Sequence, residues 1–211
     1  MLWRTFVPAR RSSGFIEPCL PTLAEAVPSG PQWVHEIKHD GFRFICRRDG
    51  DRLRVFSING NDYADRVPRI AEALAALRVK SATLDGEGVI CDGEGISNFD
   101  KLRAAMASKG SRNAFLYAFD LLEFNGRDMR DLPWEARRKA LIALLRRGEL
   151  GIRLSEHVEG CDGDVVFQSA CRMGLEGIVA KRRDRPYRSG RSLDWIKVKN
   201  PDAAAATRVM E

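Results

Sequence analysis

The amino-acid sequence predicts an α+β fold, and two patterns support that prediction. Strand-like runs come in neighbouring pairs joined by turns, as at Phe42–Arg48 and Arg52–Ile58, where Asp49-Gly50 supplies a hairpin turn. Between such pairs lie segments whose apolar residues recur at helical spacing. Strands and helices do not alternate regularly, as they would in a doubly wound parallel α/β fold. We therefore predict an α+β fold built on antiparallel strand pairs and helices.

The remaining elements follow from the same patterns. Five prolines in residues 1–32 predict an extended N-terminal arm rather than a helix. Further strands are predicted at Trp33–Lys38, Ala82–Leu84, Gly88–Cys91, Phe115–Leu122, Gly177–Lys181 and Trp195–Val198. Helices are predicted from Tyr63 to Leu77, from Phe99 to Met106 with Ser97 as N-cap, from Pro133 to Leu145 and near Asp164 to Met173. Residues 33–200 form the predicted domain, and residues 201–211 form a short tail.

The composition fits one folded domain. Hydrophobic residues make up 44% of the 211 residues and charged residues 30%, which excludes a disordered chain and a coiled coil. No window of 18 apolar residues is present, so no transmembrane helix is predicted. Residues 1–13 lack the apolar core of a secretory signal. The five scattered cysteines show no CxxC motif, which disfavours a zinc site and favours the reducing cytoplasm.

The positive charge is concentrated near the C-terminus. Between Lys181 and Lys199 lie eight lysines and arginines but only Asp184 and Asp194, a difference equal to the whole net charge of +6. Such a stretch is often a solvated surface. Here it also contains Tyr187 and Trp195, a mixture of basic and aromatic residues that favours a polyanion as partner.

A lysine followed by an Asp-Gly turn is the first candidate for chemistry. Lys38 ends a predicted strand, and Arg43 starts the next one. The segment is either a polar hairpin end or a nucleophilic lysine beside an anion-binding arginine. About one free lysine in a few thousand is neutral at pH 7, so a nucleophile needs burial or nearby cations. Lys197 and Lys199, at alternate positions of a predicted strand, share one face and could supply those cations.

Two acidic segments and one aromatic residue are further candidates. Asp85-Gly86-Glu87 and Glu176-Gly177 each place an acid beside a glycine at a predicted strand end, where it could hold a ribose hydroxyl or Mg²⁺. Asp92-Gly93-Glu94-Gly95 has a similar composition, but we interpret it as a plain turn. Phe119 is either a core residue or a platform on which adenine stacks.

In this order, these segments resemble the nucleotidyltransferase (adenylation) domain of ATP-dependent DNA ligases, and most of all the ligase domain of bacterial DNA ligase D. The resemblance covers about residues 15–200. The segments that carry it are Glu36-Ile37-Lys38-His39-Asp40-Gly41-Phe42-Arg43, Ser57-Ile58-Asn59-Gly60, Asp85-Gly86-Glu87, Phe119-Asp120-Leu121-Leu122, Glu176-Gly177-Ile178-Val179-Ala180-Lys181 and Trp195-Ile196-Lys197-Val198-Lys199.

The resemblance implies an ATP-grasp-like fold of two antiparallel sheets with flanking helices, in which a nucleotide cleft lies between the sheets. It also implies that Lys38 attacks the α-phosphate of ATP and carries AMP. The roles implied for the other positions are adenine recognition by Glu36, Ile37 and the stacked Phe119, ribose binding by Glu87, nucleotide or nick-phosphate contact by Arg43, nucleotide binding by Lys181, Mg²⁺ (or Mn²⁺) binding by Glu176, and charge neutralisation by Lys197 and Lys199.

The implied substrate is nicked or broken duplex DNA. No OB-fold domain of the kind that follows the adenylation domain in this family is recognisable in the chain, so the resemblance implies slow self-adenylation or a separate OB-fold or end-joining partner. Membrane association and a particular oligomer are not indicated.

One departure from the family pattern concerns the nick. Ile58 stands where the family has an arginine that engages the 5′-phosphate, and an isoleucine cannot donate a hydrogen bond. Two alternatives therefore stay open: a non-catalytic module that binds nucleotide or DNA ends, and an RNA ligase or capping-type nucleotidyltransferase, which shares the Lys-x-Asp-Gly core.

Overall fold

The computed structural model describes residues 14–108, 110–146, 148 and 150–203. The predicted α+β class is confirmed: the described residues form two sheets and four α-helices. The strands are β1 (Cys19–Leu23), β2 (Trp33–Ile37), β3 (Phe42–Asp49), β4 (Arg52–Ser57), β5 (Ser81–Val89), β6 (Phe115–Phe124), β7 (Arg127–Asp128), β8 (Ile152–Leu154), β9 (His157–Val158), β10 (Gly177–Arg182) and β11 (Gly190–Lys199). The helices are α1 (Pro68–Ala76), α2 (Phe99–Ala107), α3 (Trp134–Leu145) and α4 (Gly163–Arg172). Residues 1–13 of the predicted arm and residues 204–211 of the predicted tail lie outside the described residues.

The first sheet has five strands in the order β1-β11-β10-β2-β9. Its pairs are antiparallel except that β1, from the predicted arm, runs parallel to β11. Pro21 fits in β1 because this strand lies at the sheet edge, where a missing N–H group costs no ladder hydrogen bond. Within the described part of the predicted arm, Cys19–Leu23 is extended and adds a strand to the sheet.

The second sheet runs β4-β3-β5-β6-β7, and β8 pairs with β6 in parallel. The prediction of two separate strands at Ala82–Leu84 and Gly88–Cys91 is wrong, because β5 is a single strand with register shifts against β6. Its glycines mark close packing rather than a break: a Cβ on Gly86 would come within 2.6 Å of the Tyr117 carbonyl oxygen, and one on Gly88 within 2.4 Å of the Phe44 ring. Asp85 and Glu87 consequently lie inside the strand and not at its end.

Two helix starts differ from their predictions. Helix α1 begins at Pro68 rather than near Tyr63, and a separate 3-10 turn covers Ala64–Arg66. A proline has no N–H to give to a preceding carbonyl, so it suits the first turn of a helix. Asn98 caps α2 by accepting from the Lys101 amide, whereas the Ser97 hydroxyl accepts from the Asp40 amide at 3.1 Å. The predicted cap at Ser97 is therefore wrong by one residue.

Three apolar clusters hold the molecule together. The largest packs α1, α2 and α3 against the second sheet. A smaller cluster joins the two sheets and contains Ile45 and Phe119 from the second sheet with Cys19 and Trp195 from the first. A third cluster packs α4 against the first sheet. Within the described ranges, no helix is long and apolar enough to cross a membrane.

Candidate active site

Lys38 lies where strand β2 ends, at the junction of the two sheets. Its backbone amide donates to the Gly177 carbonyl at 3.0 Å, which ties it to the start of β10. Its Nζ donates to Glu176 Oε2 at 2.6 Å, and the lysine side chain is 23% exposed. The side chain is thus held at one point but stays accessible to a ligand.

A cavity of about 200 Å³ opens beside Lys38. Eight of the ten residues proposed from the sequence line it: Glu36, Ile37, Lys38, Arg43, Glu87, Phe119, Lys181 and Lys197. The other two lie next to it. Glu176 contacts Lys38, and Lys199 Nζ lies 4.0 Å from Glu176 Oε1, with the Lys199 side chain 41% exposed. Residues that are far apart in the chain therefore converge around one space.

The inner wall of the cavity carries a buried ion pair. Lys181 Nζ donates to Glu36 Oε2 at 2.8 Å, and both side chains are almost fully buried. The Lys181 ammonium also lies 4.2 Å from the Phe119 ring centroid and 4.1 Å from the Trp195 ring. Burial raises the pKa of Glu36 and lowers the pKa of Lys181, and the attraction between the two charges opposes both shifts. Glu36 Oε1 has no hydrogen-bond partner among the described residues.

Arg43 is bound by a carboxylate that the sequence analysis had considered for ribose or metal binding. Its guanidinium donates to Asp85 through Nε and through Nη2, the latter at 2.7 Å, and lies 4.4 Å from the Phe119 ring centroid. Burial opposes the charge on Arg43, but Asp85 outweighs burial, so the pKa of the guanidinium is raised. Tyr187 donates a further hydrogen bond to Asp85 at 2.6 Å. Asp85 is therefore occupied in holding Arg43 in place.

Glu87 faces the cavity from β5, opposite Arg43 on β3 and Tyr117 on β6. Burial raises the pKa of this carboxyl to about 7, while Lys38 and Arg43 pull it down. Both protonated and ionised Glu87 are therefore populated near neutral pH. Either form can accept a hydrogen bond from a ribose hydroxyl.

Four lining residues were not proposed from the sequence as site residues: Pro21, His39, Val179 and Trp195. His39, Val179 and Trp195 lie within the segments that carried the resemblance, so their position in those motifs was the available signal. His39 stacks on Tyr117, with ring centroids 4.0 Å apart, and burial together with Lys38 lowers its pKa to about 4. Pro21 reaches the cavity because β1 pairs with β11, which no local pattern indicated.

The donor set suits a nucleotide. Aromatic and aliphatic side chains line one part of the cavity, while Lys38 and Lys197 bring positive charge suited to phosphate. No group of three or more potential metal ligands occurs among the described residues. That finding is compatible with Mg²⁺, which is commonly held by one or two carboxylates together with substrate phosphates. Glu176, adjacent to Lys38, is the carboxylate that fits such a shared site.

The basic stretch from Lys181 to Lys199 is largely paired with acids. Four of its arginines form ion pairs, which join Arg182 to Asp184, Arg183 to Glu135 and Glu159, Arg185 to Asp184 and Asp194, and Arg188 to Asp131. Arg191 is exposed and has no ion pair within the described part of the chain. The surface is therefore less positive than the linear sequence indicates.

Ile58 follows the last residue of β4 and is 45% exposed. The nearby arginines of this hairpin are also paired: Arg54 lies 3.2 Å from Asp62, and Arg47 lies 3.2 Å from Asp49. Arg54 and Arg47 are thus engaged with acids, whereas Arg52, at the far end of β4, is exposed and has no ion pair among the described residues.

Comparisons with known proteins identify the family of this chain. The family model described as the ATP dependent DNA ligase domain matches residues 19–199. The multifunctional non-homologous end joining protein LigD of Pseudomonas aeruginosa is 39% identical over 201 residues, which are 91% of this chain and 24% of that protein. A probable DNA ligase of Streptomyces avermitilis is 32% identical over 193 residues, covering 84% of this chain and 37% of that protein. The chain thus spans about a quarter of the length of LigD and a little over a third of the Streptomyces protein.

A solved structure shares the fold. The structure described as mycobacterial DNA ligase D complexed with ATP and MES matches with a TM-score of 0.73 and 31% identity, over 86% of this chain and 59% of that one. The resemblance to the ligase domain of DNA ligase D is therefore confirmed. On the family match, the sequence identities and the shared fold, this chain belongs to the ATP-dependent DNA ligase domain family.

Proposed function

We propose that this chain is the adenylation domain of an ATP-dependent DNA ligase and that Lys38 carries AMP. The observation that supports the proposal most directly is that Lys38 lines the cavity together with Lys197 and donates to Glu176 at 2.6 Å. A nucleophile, an adjacent acid and a cation in one cleft are what phosphoryl transfer requires, because that reaction depends on positioning and on charge neutralisation.

The first step forms a bond between Lys38 Nζ and the α-phosphorus of ATP, and the bond from that phosphorus to pyrophosphate breaks. Glu176 Oε2, already hydrogen-bonded to Nζ at 2.6 Å, is positioned to take up the proton that the ammonium loses. Lys197 and Lys199 neutralise the developing negative charge. Bound Mg²⁺, held by Glu176 and the phosphates, would supply additional charge neutralisation.

The remaining cavity residues bind the nucleoside. Phe119 is 7% exposed and lines the cavity, a position that suits stacking on adenine. Glu36 and Ile37 line the same wall and would read the base, and Glu87 would accept from the ribose. Arg43 would contact the nucleotide from its fixed position beside Asp85. Lys181 acts on the base through Glu36.

In the second stage, AMP passes to DNA. An oxygen of the DNA 5′-phosphate bonds to the AMP phosphorus while the bond to Lys38 breaks, which regenerates the lysine. The neighbouring 3′-hydroxyl then displaces AMP and closes the strand. Nicked or broken duplex DNA is the substrate we propose, because the relatives include proteins named for non-homologous end joining. A separate OB-fold or end-joining partner would help to hold the duplex, and a reducing compartment such as the cytoplasm suits the five free thiols.

The test is incubation with ATP labelled on the α-phosphate, in the presence of Mg²⁺. We expect protein-bound AMP that is labile in acid and stable in base, as a phosphoamide is, and its absence in Lys38→Ala. The matched control is Lys139→Ala, which removes an exposed lysine of α3 and leaves labelling unchanged. Removal of Lys38 takes away no core volume, and Lys199 remains 4.0 Å from the Glu176 carboxylate, so we expect the variant to keep its fold.

The same experiment separates the alternatives. Wild-type protein that binds ATP but never becomes labelled would be a nucleotide- or end-binding module. Labelling followed by sealing of nicked RNA in preference to nicked DNA would identify an RNA ligase. Label that persists in Lys38→Ala would assign the nucleophile to another lysine.

A further inference from the structure

We propose that Lys181 determines which base enters the site, because it keeps Glu36 as a hydrogen-bond acceptor that selects adenine over guanine. The inference rests on the proposed nucleotide site and adds a positioning residue to it. Lys181 lines the cavity, but its side chain is only 2% exposed, and its ammonium is held by Glu36 beside the Phe119 and Trp195 rings. It therefore acts through Glu36.

The two carboxylate oxygens of Glu36 differ in their hydrogen-bond partners. Lys181 Nζ occupies Oε2 at 2.8 Å, while Oε1 is buried and has no partner among the described residues. A buried oxygen without a hydrogen bond costs free energy, so a ligand that donates to it gains that energy back. Glu36 lines the cavity, so a base in the cavity is the donor that fits.

Adenine and guanine differ in the group that the ring carries at position 6. The 6-amino group of adenine donates a hydrogen bond, whereas the 6-oxo group of guanine accepts one. An ionised carboxylate only accepts, so Oε1 pairs with adenine and repels guanine. A protonated carboxyl group also donates, and it would lose that discrimination. The charge state of Glu36 therefore determines the base preference.

The positive charge of Lys181 favours the ionised form of Glu36. Three other charged or titratable groups approach Glu36: Arg138 from α3, Asp120 from β6 and His157 from β9. Nη2 of Arg138 is bound to the Ser155 carbonyl and His157 Nδ1. Asp120 is neutralised by Arg137, which donates to both of its oxygens at 2.7 and 2.9 Å.

Above pH 7, His157 stays neutral, because burial and Arg138 lower its pKa. Of the charged groups described around Glu36, only Lys181 forms a hydrogen bond to this carboxylate. Without that ammonium, burial favours the protonated form of Glu36.

Two substitutions test the proposal through the ratio of AMP to GMP labelling from α-labelled ATP and GTP. The ratio cancels the pH dependence of the Lys38 nucleophile, which both nucleotides share. Lys181→Met replaces the ammonium with an apolar chain of similar length that suits the space between the two rings. Glu36→Gln keeps the shape of Glu36 but supplies an amide.

For Lys181→Met we expect the ratio at pH 6.5 to fall at least about tenfold, the effect of one mismatched hydrogen bond, and to rise again as the pH is increased to 9 and ionisation of Glu36 is favoured. For Glu36→Gln we expect a fall at both pH values. Lysine only donates, so the amide oxygen turns to Lys181 and the amide NH₂ group meets the base, which favours guanine. Lys139→Met, an exposed lysine on α3, is the control and leaves the ratio unchanged.

Equal losses of AMP and GMP labelling in Lys181→Met, without pH dependence, would mean that Lys181 has only a structural role and would overturn the proposal. If Lys181→Met does not fold, Glu36→Gln decides: an unchanged ratio overturns the inference, and a reversed one supports it. Wild-type protein that accepts no nucleotide would instead contradict the proposed function, so the two failures are distinguishable.

Discussion

Arg43 and Asp85 form a two-point ion pair across neighbouring strands: Nη2 of Arg43 lies 2.7 Å from Oδ2 of Asp85, and Nε binds the other oxygen. The Asp85 side chain is fully buried. Of the two acids in the Asp-Gly-Glu segment, one therefore holds a cation in place, and the other, Glu87, faces the cavity. These different roles of Asp85 and Glu87 lead to two predictions about stability.

The first prediction concerns the buried pair. In Arg43→Met the Asp85 carboxylate keeps, among the described side chains, only Tyr187 as a hydrogen-bond partner, so we expect the free energy of unfolding to fall by about 3–5 kcal/mol. Arg47→Met is the control, because Arg47 pairs with an exposed Asp49, and we expect a change of about 0–1 kcal/mol. Urea unfolding at pH 7 measures both. Similar small losses in the two variants would show that Asp85 tolerates losing its partner.

The second prediction concerns pH and Glu87. The pKa of this carboxyl is about 7 in the folded protein, against an ordinary value of 4.5. Below pH 4.5 it is protonated in both states. As pH rises from 4.5 to 7 the unfolded chain ionises first, so the folded state loses stability, and above pH 7 the loss is complete.

We therefore expect the difference in free energy of unfolding between Glu87→Gln and wild type to increase in favour of the variant as the pH rises from 5 to 8. The full shift would correspond to about 3 kcal/mol, and the gain is smaller because Glu87 keeps some contact with solvent. Urea unfolding of both proteins at the two pH values tests this. A difference between them that does not change with pH would contradict the raised pKa.

The third prediction concerns Ile58. We expect Ile58→Arg to accelerate sealing of a pre-adenylated nick more than it accelerates adenylation of Lys38. A charge-assisted hydrogen bond to phosphate is worth about 1.5–3 kcal/mol, which corresponds to roughly tenfold to a hundredfold in rate. The side chain is 45% exposed, so an arginine fits without loss of core packing.

Single-turnover sealing and adenylation rates for wild type, Ile58→Arg and the uncharged Ile58→Gln separate charge from polarity. Equal sealing by all three would mean that another cation already engages the 5′-phosphate. If Ile58→Gln increases the sealing rate as much as Ile58→Arg does, the positive charge is not the cause of the increase.

The fourth prediction concerns DNA binding. We expect weak, mainly sequence-independent binding whose affinity falls with salt, with a log–log slope of about −0.9 for each phosphate neutralised. Arg191→Ala should make that slope shallower by about one phosphate, because Arg191 is exposed and has no ion pair within the described residues. Arg182→Ala, which removes an arginine paired with Asp184 at 2.9 Å, should change it less. Binding by fluorescence anisotropy from 50 to 300 mM salt distinguishes the two, and equal effects would contradict the role of pairing.

Local patterns in the sequence determined much of this protein. Hairpin turn residues and the alternation of side chains fixed β3 and β4 closely, and apolar spacing located α1 through α4 to within a few residues. These features depend on neighbours along the chain, so they can be predicted without the fold. The ordered motifs also identified eight residues that line the cavity and two that lie beside it.

Other features depended on contacts between distant segments. Gly86 and Gly88 suggest a break when only the chain is considered, but within the sheet they let β6 and the Phe44 ring approach, so β5 continues as one strand. In the same way, Pro21 reaches the cavity only because β1 pairs with a strand about 170 residues further along the chain.

Charge was the property that the sequence by itself described least well. A linear count assigns the whole positive excess to the stretch ending at Lys199, but it cannot indicate which acids lie beside each arginine. Arg183, for example, is paired with Glu135, 48 residues away in the chain. The sequence by itself determined which groups are present and which local structure carries them. The tertiary structure decided which charges remain available, because ion pairing and burial are set by neighbours in space.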